Sequence, residues 1–183
     1  MLIIDMSKLK DFDYSVENFS YFITMNFKYK LNDRIISSLY ESLLNIFIET
    51  DFICEAIIVM PDHLHFVTKK EVESYFTLSD LICKLKSKSV YLLKQKKLIP
   101  ESFWNKKYFD HVIRNEKDWL EKIRYIINNP IKAKIVNSGD RYPYLYYNFE
   151  EPGDTRPPST RDDEALGDTR LFSMRSGKRV VIS

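Results

Sequence analysis

Glycine is nearly missing from this chain: there are four in 183 residues, and none before Gly139. Loops that wrap a phosphate in backbone N–H groups need glycine, so neither a P-loop nor a dinucleotide fingerprint fits ahead of that position. Phosphate chemistry there would have to come from side chains and a metal. Cysteine is equally scarce. Cys54 and Cys83 make no disulfide framework, and both read as small buried residues of a reducing compartment. No apolar run approaches the ~20 residues of a membrane span. The start, MLIIDMSKLKDFD, follows four apolar residues with charges, unlike a secretory signal. The expectation is a cytoplasmic protein with no membrane partner. Histidine is the last scarcity: of three in the chain, two are His63 and His65.

Hydrophobic residues make up 44% of the chain and aromatics 14%, with 12 Tyr and 12 Phe. That is enough for the core of one domain, and it leaves aromatic surface that could stack on unpaired bases. The net charge of +2 conceals an asymmetry. Residues 1–83 carry 7 basic and 13 acidic side chains, whereas residues 84–134 carry 14 basic and 5 acidic. The second segment reads either as a phosphate-backbone footprint or as a solvated lysine face.

The periodicities alternate in type. Phe19 to Lys28 reads as a strand, aromatic and β-branched. Asn32 or Asp33 can cap a helix to about Thr50, with an apolar stripe at Ile35, Ile36, Leu39, Leu43, Leu44 and Phe47. Phe52–Met60 and His63–Lys69 read as strands joined by the short Pro61-Asp62 turn, hence as an antiparallel hairpin. Thr77 or Ser79 can start a helix to about Lys96 with a buried stripe at Leu81, Ile82, Leu85, Ser89, Leu92 and Leu93. A fourth strand lies within Phe103–Arg114. A third helix spans Glu116–Asn129 and is closed by Pro130. The order βαββαβ plus a helix is the split βαβ, ferredoxin-like pattern: α+β, an antiparallel sheet with helices on one face. Residues 1–150 form this domain. Residues 151–183, rich in Pro, Gly, Asp, Arg and Thr, with GDTR at Gly153 and again at Gly167, read as a low-complexity, disordered tail.

Side chains at i and i+2 of a strand share a face, so His63 and His65 present two imidazoles together: a metal pair, or simply paired core or surface histidines. Tyr125 and Asn129, at i and i+4, share a helix face. By itself Tyr125 reads as a core-edge tyrosine and Asn129 as a helix cap before Pro130; in combination they offer a nucleophile and a third, amide ligand. His111 alternates with Phe109 and Ile113, and fits a core histidine, a phosphate contact or a general acid. Lys84, Lys86, Lys88, Lys132 and Lys134 are each most simply solvated; together they could track a single strand.

Taken together, these stretches resemble the single-tyrosine HUH transposases, and within them the REP-associated tyrosine (IS200-like) transposases. The carriers are His63-Leu64-His65 after Met60-Pro61 at the end of an apolar strand, Leu85-Lys86 on a helix, and Trp104 through Tyr108-Phe109-Asp110 to Ile113-Arg114. The last is Tyr125-Ile126-Ile127-Asn128-Asn129-Pro130 with Lys132 beyond. Asp62 stands where that family often has Asn. The match runs from about Tyr21 to Phe149.

The resemblance implies a metal-dependent DNA strand transferase and endonuclease acting on single-stranded DNA beside hairpins or palindromic repeat ends. His63, His65 and Asn129 would hold Mg²⁺ or Mn²⁺. Tyr125 would form a 5′-phosphotyrosine. Lys84, Lys86, Lys88, Arg114, Arg124, Lys132 and Lys134 would guide the strand, with His111 as an accessory. Family relatives are often dimers, so a homodimer is compatible with it. The competing reading is a non-catalytic, ferredoxin-like binder of single-stranded nucleic acid, which stacks bases on sheet aromatics.

Overall fold

The structure, a computed structural model, describes residues 19–70 and 76–148. The expectations for the N-terminal stretch and for the 151–183 tail lie outside the described residues.

The strands are β1 (Ser20–Asn26), β2 (Phe52–Val59), β3 (His63–Lys70), β4 (Phe109–Ile113) and β5 (Leu145–Tyr147). The helices are α1 (Asp33–Ile48), α2 (Leu78–Gln95) and α3 (Glu116–Lys132). The strands form one sheet, in the order β4-β1-β3-β2-β5, and every neighbouring pair is antiparallel. This is the expected α+β architecture with one additional strand. Among the described residues no helix is long and apolar enough to cross a membrane.

Local chemistry starts the helices where the sequence indicates. The Asn32 side chain accepts from Ile35 N at 3.1 Å and opens α1. Thr77 and Asp80 form a capping box on α2: Asp80 Oδ2 accepts from Thr77 N at 2.8 Å, and Thr77 Oγ1 accepts from Asp80 N at 3.2 Å. Each cap satisfies N–H groups that a helix cannot pair internally, a contribution of about 1 kcal/mol.

Strand alternation divides the sheet into two faces. Tyr21, Ile23, Met25, Leu64 and Phe66 point to one face and join α1 and α2 in a single apolar core. Phe47 of α1 meets Phe66 edge-on at 5.5 Å between ring centroids. Ser89 lies buried in the apolar stripe of α2 because its hydroxyl accepts the Trp104 indole N–H at 3.0 Å, which ties the approach to β4 onto that helix.

The expectation of helices on one face holds for α1 and α2 but not for α3, which packs on the opposite side. That second face offers Ala56, Ile58 and Val67, and α3 brings Ile123, Ile126 and Pro130; all are buried. The first face is already filled by two helices, so the apolar stripe of α3 finds cover on the other.

Three further expectations need correction. The third helix does not stop at Asn129 but runs through Pro130 to Lys132. Proline lacks one N–H, yet the turn around it survives, because Ala133 N donates to Asn129 O, Lys134 N to Ile131 O and Ile135 N to Pro130 O, each at 2.9 Å. Cys83 is exposed, unlike Cys54, because it falls outside the Leu81–Ile82–Leu85–Ser89 stripe of α2. Finally, β5 adds an edge strand beside β2 that the sequence pattern did not reveal.

Candidate active site

β1 and β3 pair so that Thr24 lies opposite His65 and Asn26 opposite His63. Opposed residues share a face. Both histidines therefore emerge on the α3 side of the sheet, with ring centroids 4.6 Å apart.

The turn that presents them is held by the main chain. Phe27 N donates to Asp62 O at 2.8 Å, Leu31 N to Pro61 O at 2.7 Å, and Met60 N to His63 O at 2.8 Å. Fixing Asp62 places its carboxylate Oδ1 2.6 Å from His63 Nδ1. A carboxylate only accepts, so Nδ1 carries the proton, and in the neutral ring the lone pair lies on Nε2.

His65 is 4% exposed and has a different partner, the Thr24 hydroxyl, at 2.8 Å from Nδ1. Burial, with the nearby His63 as a smaller cause, lowers its pKa to about 3, so the imidazole is neutral at ordinary pH. Its Nε2 is buried and has no hydrogen-bond partner among the described residues. An orphaned buried polar atom costs about 1–3 kcal/mol, and such exceptions call for a ligand or a function. In the tautomer that donates Nδ1–H to the Thr24 hydroxyl, that Nε2 carries a lone pair on the same face of the sheet as His63.

Ring nitrogens anchored on one side and open on the other are the usual preparation of metal-ligating histidines. Among the described residues no group of three His, Cys, Asp or Glu side chains could hold an ion. A further protein ligand of another type, such as an amide oxygen, would have to complete the set. Asn129 is of that type. It is 8% exposed, buried with Ile126 and Pro130 one turn beyond Tyr125.

α3 carries Tyr125 over this same face. Its ring lies 5.1 Å from that of His65 and 5.9 Å from that of Phe22, centroid to centroid, edge-on to both. Phe22 in turn stacks on His65 at 5.3 Å. The tyrosine nevertheless stays 41% exposed, open to a macromolecular substrate. A groove lined by Phe22, Lys117, Lys122, Arg124, Asn128 and Lys132, among others, runs along α3 to Tyr125. Tyr125 and the histidine pair thus lie together on one face of the sheet, within one chain.

His111 behaves differently. It lies opposite Phe22 on β4, and its Nε2 pairs with Asp118 Oδ2 at 2.7 Å, joining β4 to the first turn of α3. Lys122 Nζ approaches the other oxygen of Asp118 at 3.7 Å.

The lysines separate by layer. Lys84, Lys86 and Lys88 belong to α2, across the sheet from Tyr125, and all three have protein partners. Lys84 donates to Glu49 O at 2.9 Å, and Lys88 pairs with the Glu49 carboxylate. That pairing, the largest cause, holds the Glu49 carboxyl below its ordinary pKa. Lys86 donates to the carbonyls of Asn105 and Lys106, each at 2.9 Å, and burial lowers its pKa. Arg114, Arg124, Lys132 and Lys134 are exposed. Lys132 Nζ stands 5.5 Å from the centroid of the Tyr125 ring.

Sequence reasoning missed Phe22 and Thr24, both essential to this geometry. Their strand was legible, but only the register between β1 and β3 puts Thr24 against His65.

The profile of the family described as "Transposase IS200 like" matches residues 15–129. A REP-associated tyrosine transposase from Escherichia coli (strain K12) is 24% identical over 173 residues, covering 92% of this chain and 96% of the relative. A solved structure, described as a REP-associated tyrosine transposase bound to a REP hairpin, superposes with a TM-score of 0.56 at 23% identity. The match covers 68% of this chain and 74% of that one, and it shows a shared fold.

Proposed function

Because the chain belongs to the IS200-like transposase family, we propose that it cuts and rejoins single-stranded DNA through a covalent link to Tyr125. The observation that carries this reading is the Tyr125 ring 5.1 Å from His65, a neutral imidazole whose buried Nε2 has no partner among the described residues.

His63, His65 and Asn129 would hold a divalent ion, Mg²⁺ or Mn²⁺, which when bound supplies Lewis-acid polarisation of the scissile phosphate. Asp62 and Thr24 hold the two imidazoles in the orientation that keeps their Nε2 atoms available. Phe22 and His65 brace the tyrosine ring from the sheet.

The Tyr125 oxygen attacks phosphorus. The Oη–P bond forms as the P–O3′ bond breaks; the phenol loses its proton and the departing 3′-oxygen gains one. The product is a 5′-phosphotyrosine and a free 3′-hydroxyl. Attack by a 3′-hydroxyl on another strand reverses the step, so the bond energy is retained and no nucleotide hydrolysis is needed. Arg114, Arg124 and Lys134 would meet the strand on the exposed side of the molecule, and Lys84, Lys86 and Lys88 only after exchanging their protein partners for phosphate.

We assign this activity to a domain of residues 1–150 acting in the cytoplasm on strands next to hairpins or palindromic repeat ends. The hairpin in the solved relative supports that choice of partner. One chain supplies both the tyrosine and the histidine pair, so the homodimer compatible with the resemblance is not required for chemistry.

The test is a denaturing gel of the protein incubated with end-labelled single-stranded hairpin DNA and Mg²⁺ or Mn²⁺. A slow-migrating covalent band is expected. Retarded DNA on a native gel without any covalent band would favour the non-catalytic binder.

A further inference from the structure

We infer that Lys132 serves Tyr125 rather than the DNA backbone: its ammonium holds the phenol ring in place and keeps a positive charge beside the nucleophile. The inference rests on the transferase reading of Tyr125 and adds a positioning residue to it.

The placement follows from the continuation of α3 through Pro130. Residues 125, 129 and 132 fall at i, i+4 and i+7 of one helix, which aligns them in a single stripe. Had the helix ended at Asn129, Lys132 would have no fixed relation to Tyr125. As built, Lys132 Nζ sits 5.5 Å from the ring centroid, within the range at which a cation is attracted by an aromatic face.

Other lysines of α2 and α3 have different partners. Lys84, Lys86 and Lys88 are drawn to carbonyls or to Glu49. Lys122 is shared between Asp118 and Glu121. For Lys132 the described contact is the Tyr125 ring. Around that ring, β1 contributes Phe22, β3 contributes the neutral His65, and α3 contributes Lys132; Glu121 and Lys122 line the same groove. The aromatic partners bear on the ring from the sheet, and Lys132 restrains it from its own helix.

The charge has a chemical consequence as well. In the joining direction the Oη–P bond breaks and its electron pair leaves on the phenolic oxygen. A cation already in place beside the ring favours that charge without reorganising.

The experiment compares wild type, Lys132→Met and Lys132→Arg in three measurements. These are the single-turnover rate of covalent-adduct formation at saturating hairpin DNA, DNA affinity as a function of salt, and the ring ¹H–¹³C resonances of Tyr125, assigned by their loss in Tyr125→Phe. Lys132→Met should slow adduct formation about two- to fivefold, as an exposed cation–ring contact allows, with affinity and salt slope unchanged. It should also displace the Tyr125 resonances. Lys132→Arg should keep most of the rate, since guanidinium also stacks on aromatic rings. If instead Lys132→Met weakens binding and flattens the salt slope by about 0.7, as loss of one single-strand phosphate contact would, while the saturated rate is retained, the inference is overturned. Unmoved Tyr125 resonances overturn it too. Because the resonances are read without DNA, they decide the contact even if the wild-type protein forms no adduct and the transferase reading itself fails.

Discussion

Thr24 and His65 face each other across β1 and β3, and a hydroxyl, not a carboxylate, occupies the Nδ1 of the buried imidazole at 2.8 Å. His63 has the charged partner, Asp62. The two imidazoles are thus oriented by unlike groups, and each can be tested separately. Thr24→Val keeps the shape and removes the hydroxyl. Calorimetric titration with Mn²⁺ should show about 10–100-fold weaker binding, the usual effect of losing a partner behind a ligating histidine. Thr24→Ser should stay close to wild type. Equal Mn²⁺ affinity in wild type and Thr24→Val would remove Thr24 from the site.

Tyr125→Phe should abolish the covalent band while leaving hairpin DNA affinity within about twofold. The residue is 41% exposed, and surface changes of this kind usually alter stability by less than about 0.5 kcal/mol. Thermal melting should therefore match wild type. A covalent adduct that persists in this variant would mean another side chain is the nucleophile.

The double change His63→Ala with His65→Ala should end metal-dependent cleavage, and EDTA should have the same effect on the wild-type protein, reversed by excess Mn²⁺. DNA binding measured by anisotropy in EDTA should survive in both cases. Cutting that continues at full rate in EDTA would reject the metal role of this pair.

A fourth prediction concerns the fold rather than the chemistry. Ser89→Ala removes the acceptor for the buried Trp104 indole N–H. Leaving that donor unpaired should cost about 1–3 kcal/mol in urea unfolding. Since Trp104 leads into β4 on the far side from Tyr125, the adduct rate of folded protein should be unaffected. A stability loss below about 0.5 kcal/mol would show that the indole finds another acceptor.

Much of this site can be read from the sequence. The alternation in His63-Leu64-His65 places both imidazoles on one face because strand geometry leaves no choice, and the i, i+4 spacing does the same for Tyr125 and Asn129. Asn32 and Thr77 could be recognised as caps because capping is local chemistry. The features that escaped are those set at long range. Thr24 is one of many polar residues until the β1–β3 register is known. Nothing local tells α3 which face of the sheet to cover; that depends on α1 and α2 having filled the other. Pro130 looks like a stop until the hydrogen bonds of the turn beyond it are counted. Lys84, Lys86 and Lys88 look like a strand-binding row until Glu49 and the carbonyls of Asn105 and Lys106 are found waiting for them.

β3 lies inside the sheet, hydrogen-bonded to β1 on one edge and β2 on the other, whereas Tyr125 rides on a single helix at the periphery. Segments paired on both edges are the last to open, and peripheral helices are among the first. The histidine pair on β3 and the Tyr125–Asn129 pair on α3 therefore belong to regions of unequal durability. Under mild denaturation Tyr125 and Asn129 would leave the histidine pair together, well before the sheet ceased to be folded.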